Sequence, residues 1–473
     1  MSNPPIPDAQ SLADAVVVEG ARVTVRDEDA LRSPRMDALV RTAVFGEVPA
    51  RERARWLLWE LARTLGVRVA SMHGLNAARA RGDISGFAVP AVSLRGPAYV
   101  GARAAFRVAR RLDAGAFTLT LARAEIAHAD QRPAEYVAAV LGAALREGYR
   151  GPVFLQADHF RVNPVTYAAD PEGEVAALKQ LAREAVDAGC WNVDLDVSAL
   201  VRRDVTAPTG RQQPNAEVTA DVLAYLRDCE PPGVTICVGA ELGTLDVRRH
   251  DAPAELRAFL AGVREALARR VGTDVPGLAK VGVRTAAMAG RTPLGGEAVG
   301  RPEAWALAAL SRLARTEFGL GGTVHYASAA LPAAALGEFA RANVAQVHLG
   351  ARFQQLLLDS LPTELAAAME TWAGEHAPGL RQPGETAAEA VERARWKALG
   401  PFKRALWELP AAYGDALGVA YERLLEPLFT ALGVAGTAAL VSTHAAAPMP
   451  ILPLPSSGAG DAHRPGQTQG AVA

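Results

Sequence analysis

Cysteine is scarce in this sequence: Cys190, Cys229 and Cys237 are the only three among 473 residues, and none has CxxC spacing. This scarcity excludes a disulfide framework and a cysteine-based zinc site, so we expect three small buried apolar side chains. No apolar stretch reaches the roughly 18 to 20 residues of a membrane-spanning helix. Residues 1–10 also lack the basic and then apolar order of a secretory signal. We therefore predict a cytoplasmic protein without a membrane partner.

An excess of one charge is also missing, because 50 Lys and Arg residues face 51 Asp and Glu residues, for a formal net charge of -1. This balance argues against a nucleic-acid partner and leaves a small molecule as the expected one. Neither a GxGxxG fingerprint opening a helix nor a Walker A loop occurs. The apolar half of the composition is ordinary for a globular protein with a buried core.

Short apolar runs alternate with Ala-rich helical segments from Phe87 onward. The runs are nearly continuously apolar, as expected for a parallel sheet that is buried on both faces. Alternating strands and helices without a dinucleotide fingerprint favour a (β/α)8 TIM barrel over an open doubly wound sheet. The eight runs are FAVPAVSL, AFTLTLA, PVFLQA, WNVDLDV, GVTICVGAE, LAKVGVRT, GGTVHYAS and VAQVHLG.

The rest of the chain is predicted to be helical additions to this α/β barrel. Residues 1–84 are expected to form an N-terminal helical extension and residues 85–360 the barrel. Residues 361–443 are expected to be helices that pack outside the barrel or form a subunit interface. Residues 444–473 are rich in Pro, Gly, Ala and Ser and are predicted to be a disordered tail.

Polar residues cluster at the carboxyl ends of the predicted strands, where barrel enzymes place their chemistry. Asp158 and His159 are adjacent there, so a carboxylate that can act as general base stands beside an imidazole that can bind a metal. The alternative is a pair that only caps the following helix. His325 and Glu241 end later strands. His325 is a metal ligand or a structural histidine, and Glu241 is a ligand, an acid/base group or an arginine partner.

Lys280 stands out because the chain has only four lysines, at positions 179, 280, 397 and 403, and this one lies within an apolar strand. A buried lysine can form a Schiff base with a carbonyl substrate. The alternative, which we favour, is an ion pair inside the barrel, for example with Glu241 or Asp196.

Residues 85–360 resemble the class II, zinc-dependent fructose-bisphosphate and tagatose-bisphosphate aldolases. The resemblance implies that Asp158 is the catalytic acid/base, that His159 binds Zn²⁺, and that His325 in HYAS corresponds to a second histidine ligand. At the position of the third histidine stands Ala289, followed by Gly290. The resemblance therefore implies a metal set of His159, His325 and Glu241, a composition known from catalytic zinc sites.

The residues at the positions that bind the substrate phosphate in this family differ from the family pattern. Tyr326 replaces the glycine after the ligand histidine, and His348–Ala351 stands where the family has N-x-D-T. Arg352 and Ser328 are expected to compensate, since arginine binds phosphate or carboxylate bidentately. The complete set of predicted substrate contacts is Asn163, Asp196, Ser198, Ser328, His348 and Arg352.

The resemblance implies a metal-assisted lyase that performs aldol or retro-aldol chemistry on a ketose or ketose phosphate, with a homo-oligomer as the expected assembly. Three alternatives stay open. One is a sugar or sugar-acid epimerase on the same scaffold. Another is a barrel that has lost catalysis and serves as a binding or partner subunit, as Ala289 suggests. The last is a Schiff-base aldolase that uses Lys280.

Overall fold

The computed structural model describes residues 12, 14–245, 251–285, 304–327, 331–381, 384–445 and 449–455. The strands in these ranges are β1 Val16–Glu19, β2 Arg22–Val25, β3 Val67–Ala70, β4 Val89–Ser93, β5 Thr118–Ala122, β6 Gly151–Arg161, β7 Asn192–Asp196, β8 Cys237–Leu245, β9 Lys280–Thr285, β10 Thr323–Tyr326 and β11 Gln346–Leu349.

The helices occupy most of the remaining described chain. They are α1 Glu28–Leu31, α2 Pro34–Phe45, α3 Val48–Thr64, α4 His73–Arg81, α5 Ala98–Leu112, α6 Arg123–His128, α7 Pro133–Arg146, α8 Pro164–Ala169, α9 Pro171–Ala188, α10 Pro208–Asp228, α11 Ala252–Val271, α12 Ala304–Phe318, α13 Ala333–Arg341, α14 Ala351–Asp359, α15 Thr363–Leu380, α16 Ala387–Lys397, α17 Lys403–Trp407, α18 Ala411–Ala431 and α19 Ala438–His444.

Strands β4 to β11 form a closed parallel barrel, which confirms the predicted (β/α)8 fold. Each strand pairs with the next in sequence, and β11 closes the barrel on β4. Each of these eight strands overlaps one of the eight apolar runs in the sequence. Outward-facing strand residues and the surrounding helices share one large apolar core, which accounts for the nearly continuous apolar character of the runs.

The N-terminal region contributes strands as well as the helices that the sequence predicts. β1 and β2 form an antiparallel hairpin. β3 pairs in parallel with the first half of β6, on the same edge that β7 occupies farther along. Asn192 at the start of β7 secures this junction, because its amide donates to the carbonyls of Ala70 and Leu155 and its oxygen accepts from the backbone N–H of Met72.

The C-terminal helices take two different positions. α18 packs against α5 on the outside of the barrel. The hairpin of α15 and α16 instead lies over the barrel mouth, where it lines the main cavity. Residues 449–455, part of the predicted tail, contact α3: Trp59 Nε1 donates to the carbonyl of Pro450, and Trp56 Nε1 to that of Leu452.

The three cysteines are buried and unpaired, as predicted. Within the described ranges, no helix combines the length and the apolar character that crossing a bilayer requires.

Candidate active site

A bulge in β6 brings Asp158 and His159 to the same place. Adjacent residues of a regular strand point to opposite faces, but the pairing of β6 with β7 shifts between Ala157 and Phe160. His159 adopts a left-handed backbone conformation with φ of +44°, which is uncommon for a residue other than glycine. The bulge therefore turns both side chains toward the barrel mouth, and such re-aiming is a frequent use of bulges near active sites.

His348 on β11 completes a cluster with these two residues. Its Nδ1 lies 3.1 Å from Asp158 Oδ2. Asp158, His159 and His348 each offer one potential ligand atom, and these atoms all lie within 4.8 Å of one another. The ring of Tyr326 stacks on His159 with 4.8 Å between centroids and lies 4.9 Å from the ring of His348. Imidazole and carboxylate groups at this spacing form a set that can hold a divalent metal.

The charged groups of the cluster shift one another's pKa values. Burial raises the pKa of the Asp158 carboxyl, but the charges of His348 and His159 outweigh it and hold that pKa well below its usual range. Burial disfavours protonation of His348, yet Asp158 and Asp194 raise its pKa to about 9. The pKa of His159 is also raised, because Asp158 and Asp196 outweigh the effect of burial. Asp158 is therefore ionised at neutral pH.

Asp196 fixes the position of His159. Its Oδ2 accepts hydrogen bonds from Arg161 Nε at 3.0 Å and Arg284 Nη2 at 3.1 Å, and lies 3.5 Å from His159 Nδ1. Its Oδ1 accepts from Ser198 Oγ at 2.6 Å. Burial opposes ionisation, but the hydrogen bond from His159 and the two guanidinium charges hold the pKa of Asp196 well below its usual range. Asp196 and Ser198, both expected to contact substrate, thus bond to each other beneath the site.

Glu241 and Tyr326 form a hydrogen-bonded pair next to the cluster. Tyr326 Oη donates to Glu241 Oε1, while Arg284 lies 3.9 Å from Glu241 Oε2 and 5.1 Å from the Tyr326 ring centroid. Burial raises the pKa of Glu241, and the charge of Arg284 opposes the shift only in part. Burial also raises the pKa of Tyr326 well above its usual value. This pair holds a proton beside the cluster.

Lys280 lies in a polar layer directly below the cluster. Its Nζ donates to Gln156 Oε1 at 2.8 Å and to Gln346 Oε1, and lies 3.0 Å from Asp194 Oδ1. Gln156 Nε2 bonds Asp194 Oδ2 at 3.0 Å, and the same oxygen lies 3.6 Å from His348 Nε2. This layer supports the floor of the site, and Lys280 does not line the cavity.

The ion pair favoured for Lys280 forms with Asp194, and we expect Lys280→Met to cost about 3 to 5 kcal/mol of unfolding free energy. The substitution leaves the buried Asp194 carboxylate without its nearest counter-charge, since His348 Nε2 lies farther away, at 3.6 Å. Urea unfolding measures the loss, and the double variant with Asp194→Asn should recover part of it. Lys179→Met is the control, because its partly exposed pair is worth roughly 0 to 1 kcal/mol. Equal losses at both lysines would contradict the assigned ion pair.

His325 does not reach the cluster. It precedes Tyr326 on β10, so the two side chains point to opposite faces of the strand. Its Nε2 lies 2.8 Å from Thr323 Oγ1, and its ring lies 6.1 Å from that of Phe339 on α13. His325 therefore lies between the barrel and its helices, and in this structure His348 occupies the place beside His159 that the sequence assigned to His325.

Burial lowers the pKa of His325 to about 3, so we expect His325 to make the protein acid-sensitive. An unfolded histidine titrates near about 6.5, and the unfolded chain therefore binds more protons below that pH. The stability from neutral His325 is complete above about pH 6.5 and declines as the pH falls toward 3. Between pH 7 and pH 5 it should decrease by about 2 kcal/mol. Urea unfolding of wild type and His325→Gln at both pH values measures this, and equal pH losses would contradict it.

The other predicted site residues have varied positions. Asn163 lines the cavity, but its Oδ1 caps α8 by accepting from the backbone N–H groups of Val165 and Thr166. Arg352 lines the cavity with its guanidinium 3.9 Å from Asp359. Ser328, Ala289 and Gly290 lie outside the described residues.

A cavity of about 1330 Å³ opens above the cluster. Asp158, His159, Tyr326 and His348 line it from the barrel, and the hairpin of α15 and α16 lines it from the other side. The volume exceeds the roughly 300 to 1,000 Å³ of typical small-molecule sites. The cluster is therefore accessible to a sizeable ligand.

Comparison with solved structures shows the same fold. The glycerol-complexed fructuronate-tagaturonate epimerase UxaE from Cohnella laeviribosi aligns with a TM-score of 0.51 and 10% identity, over 89% of this chain and 90% of its own. The YdjI aldolase from Escherichia coli K12 aligns with a TM-score of 0.44 and 12% identity, over 78% of this chain and 100% of its own. Fructose-bisphosphate aldolase from Campylobacter jejuni aligns with a TM-score of 0.44 and 13% identity, over 79% of this chain and 98% of its own. The sequence matches no family profile and no curated protein sequence.

Proposed function

We propose that this protein is a metal-dependent enzyme that performs aldol or retro-aldol chemistry on a ketose or ketose phosphate. The cluster of Asp158, His159 and His348 at the carboxyl ends of the barrel strands carries the proposal. It combines an ionised carboxylate with two imidazoles at the floor of a cavity, in the position where barrel enzymes place their reactions.

The residues of this cluster fit a divalent metal such as Zn²⁺. His348 Nε2 is buried, makes no hydrogen bond of 3.5 Å or less within the described chain and lies 3.6 Å from Asp194 Oδ2, so this nitrogen is incompletely satisfied. Imidazole and carboxylate donors are those that catalytic zinc uses. When bound, the metal would polarise a substrate carbonyl. His159 and His348 would hold it, and Asp196 would orient His159 from below.

Asp158 and the pair of Glu241 and Tyr326 supply the proton transfers. Asp158 would accept a proton from the substrate, because its carboxylate is ionised and faces the cavity. Tyr326 also lines the cavity, and its Oη, hydrogen-bonded to Glu241, would return a proton to the carbon chain. Retro-aldol cleavage requires one group that removes a hydroxyl proton and another that protonates the new carbanion. The two groups thus match the two steps.

Sugar-acid epimerisation is the second candidate, supported by the UxaE epimerase, which alone among the three structures compared above aligns with a TM-score above 0.5. The UxaE alignment covers 89% of this chain, which includes more than the barrel. Epimerisation also uses two proton-transfer groups, one to remove and one to return the proton. The Schiff-base alternative loses support, because Lys280 Nζ is enclosed by Gln156, Gln346 and Asp194.

The test is an NMR assay of zinc-loaded protein with fructose 1,6-bisphosphate, tagatose 1,6-bisphosphate, fructuronate and tagaturonate. Cleavage into two shorter carbonyl compounds supports the aldolase, whereas a new sugar of unchanged chain length supports the epimerase. No turnover of any of the four, with zinc bound, would contradict both and favour the binding-subunit alternative.

A further inference from the structure

The hairpin of α15 and α16 has a small apolar cluster of its own besides its contacts with the main core. Its two helices pack on each other through an apolar cluster of Ala373, Ala377, Ala390 and Ala394, which is distinct from the main core. Alanine side chains bury little apolar area, so this cluster contributes modestly to stability. The hairpin is held over the mouth by Met369, which belongs to the main core, and by Trp372 and Trp396, which pack against that core.

Aromatic and basic side chains of the hairpin face the cavity. Trp372 and His376 line it from α15, and their rings stack with centroids 4.0 Å apart. Trp396 and Lys397 line it from α16, and the guanidinium of Arg95 lies 5.9 Å from the Trp396 ring. Both indoles are partly buried against the main core, and the parts that line the cavity offer rigid apolar area to a ligand at low entropic cost.

The cavity wall is basic. The charged residues among those lining it are Arg95, Arg123, Arg161, Arg352 and Lys397, against Glu125 and Asp158. Three of these arginines already have short ion pairs: Arg95 with Glu125, Arg123 with Glu174 and Arg161 with Asp196.

Lys397 differs from the other lysines. Lys179, Lys280 and Lys403 pair with Asp221, Asp194 and Glu135 respectively, whereas Lys397 has no carboxylate within ion-pair distance in the described chain. A partly buried ammonium group without a counter-charge is costly unless an anion joins it.

We propose that the α15–α16 hairpin is a substrate-binding cap, in which Trp372 and Trp396 contact a sugar ring and Lys397 binds the anionic group of the ligand. This inference rests on the proposed function, since it assigns the second end of the same cavity. The cap holds the end of the ligand remote from His159. Specificity for an anionic carbohydrate then resides in helices outside the barrel.

Acylation of lysines tests the cap directly. Burial and the charge of Arg393 lower the pKa of Lys397, which leaves more of its amine free to react with acetic anhydride. We expect 10 mM fructose 1,6-bisphosphate or fructuronate to slow acetylation of Lys397 at least fivefold, while neutral fructose does not. Peptide mass spectrometry gives the rates, with Lys179 as the internal reference. The more protective anion distinguishes a phosphate from a carboxylate ligand.

The Lys397→Gln variant gives an independent readout on the substrate found by NMR. Loss of a charged hydrogen bond should raise KM about 10- to 100-fold with kcat little changed, and Lys179→Gln is the matched control. Equal protection by neutral fructose, or no protection by any probe, overturns the cap. Turnover with an unchanged KM in Lys397→Gln also overturns it and leaves the proposed function intact. Protection of Lys397 without turnover supports the cap and contradicts the reaction.

Discussion

Replacing His348 with alanine is expected to remove zinc from the protein, whereas replacing His325 is expected to leave it bound. His348 lies beside Asp158 and His159 in the candidate metal cluster, and His325 lies behind β10 against Phe339. Loss of a direct ligand should lower zinc affinity by at least about 100-fold, the upper range for outer-sphere substitutions. Zinc per chain after gel filtration, and the dissociation constant by competition with a chelating dye, measure the effect.

His159→Ala belongs in the same series and should behave like His348→Ala. His325→Ala is the matched control because it removes the same side chain from another face of the barrel. Zinc loss in the His325 variant with retention in His348→Ala would restore the ligand set implied by the aldolase resemblance. A wild-type protein that takes up no zinc when it is supplied would contradict the metal site altogether.

Asp158→Asn is expected to reduce kcat about 10²- to 10⁴-fold, the usual contribution of a general acid/base group. The amide keeps the shape of the carboxylate but cannot accept the proton. The rate is measured by NMR on the sugar that the wild type converts. Thermal unfolding of the variant and its zinc content separate lost chemistry from lost structure.

The surface variant Asp187→Asn controls for a change of one charge, since Asp187 is exposed and pairs with Arg183 on α9. Wild-type turnover by Asp158→Asn would remove Asp158 from the reaction. A similar loss in the control would show that charge alone, and not position, matters.

The barrel itself could be predicted from the sequence for a simple physical reason. A strand buried on both faces requires apolar residues at nearly every position, and eight such runs occur between helical segments. The β6 site was also visible, because Asp158 and His159 directly follow PVFLQA. Their common orientation depends on the bulge at His159, and a bulge has no clear signature in this sequence.

The identity of the second histidine could not be obtained from the resemblance alone. Strand alternation places Tyr326, and not His325, on the inner face, and the inner face of β11 carries Gln346 and His348. Register between β10 and β11, which pairs Tyr326 with His348, decides which residues meet, and it depends on pairing that sequence does not specify.

The role of the C-terminal helices could not be predicted from the sequence either. Helical spacing predicts an apolar face but not the surface against which that face packs. Nothing in the sequence distinguishes Trp372 and Trp396 from the other apolar residues of these helices. Only the closed barrel, with its open mouth, shows that they line a cavity.

The pairing of β3 with β6 shows that the barrel depends on residues before position 85, the predicted start of the barrel. A fragment beginning at residue 85 would carry all eight barrel strands, yet the first half of β6 would lose its partner and Asn192 would lose the backbone of Ala70 and Met72. An exposed strand edge pairs readily with other chains. A fragment that keeps every strand partner of the barrel, whether it is expressed alone or fused to another protein, therefore has to begin before β3.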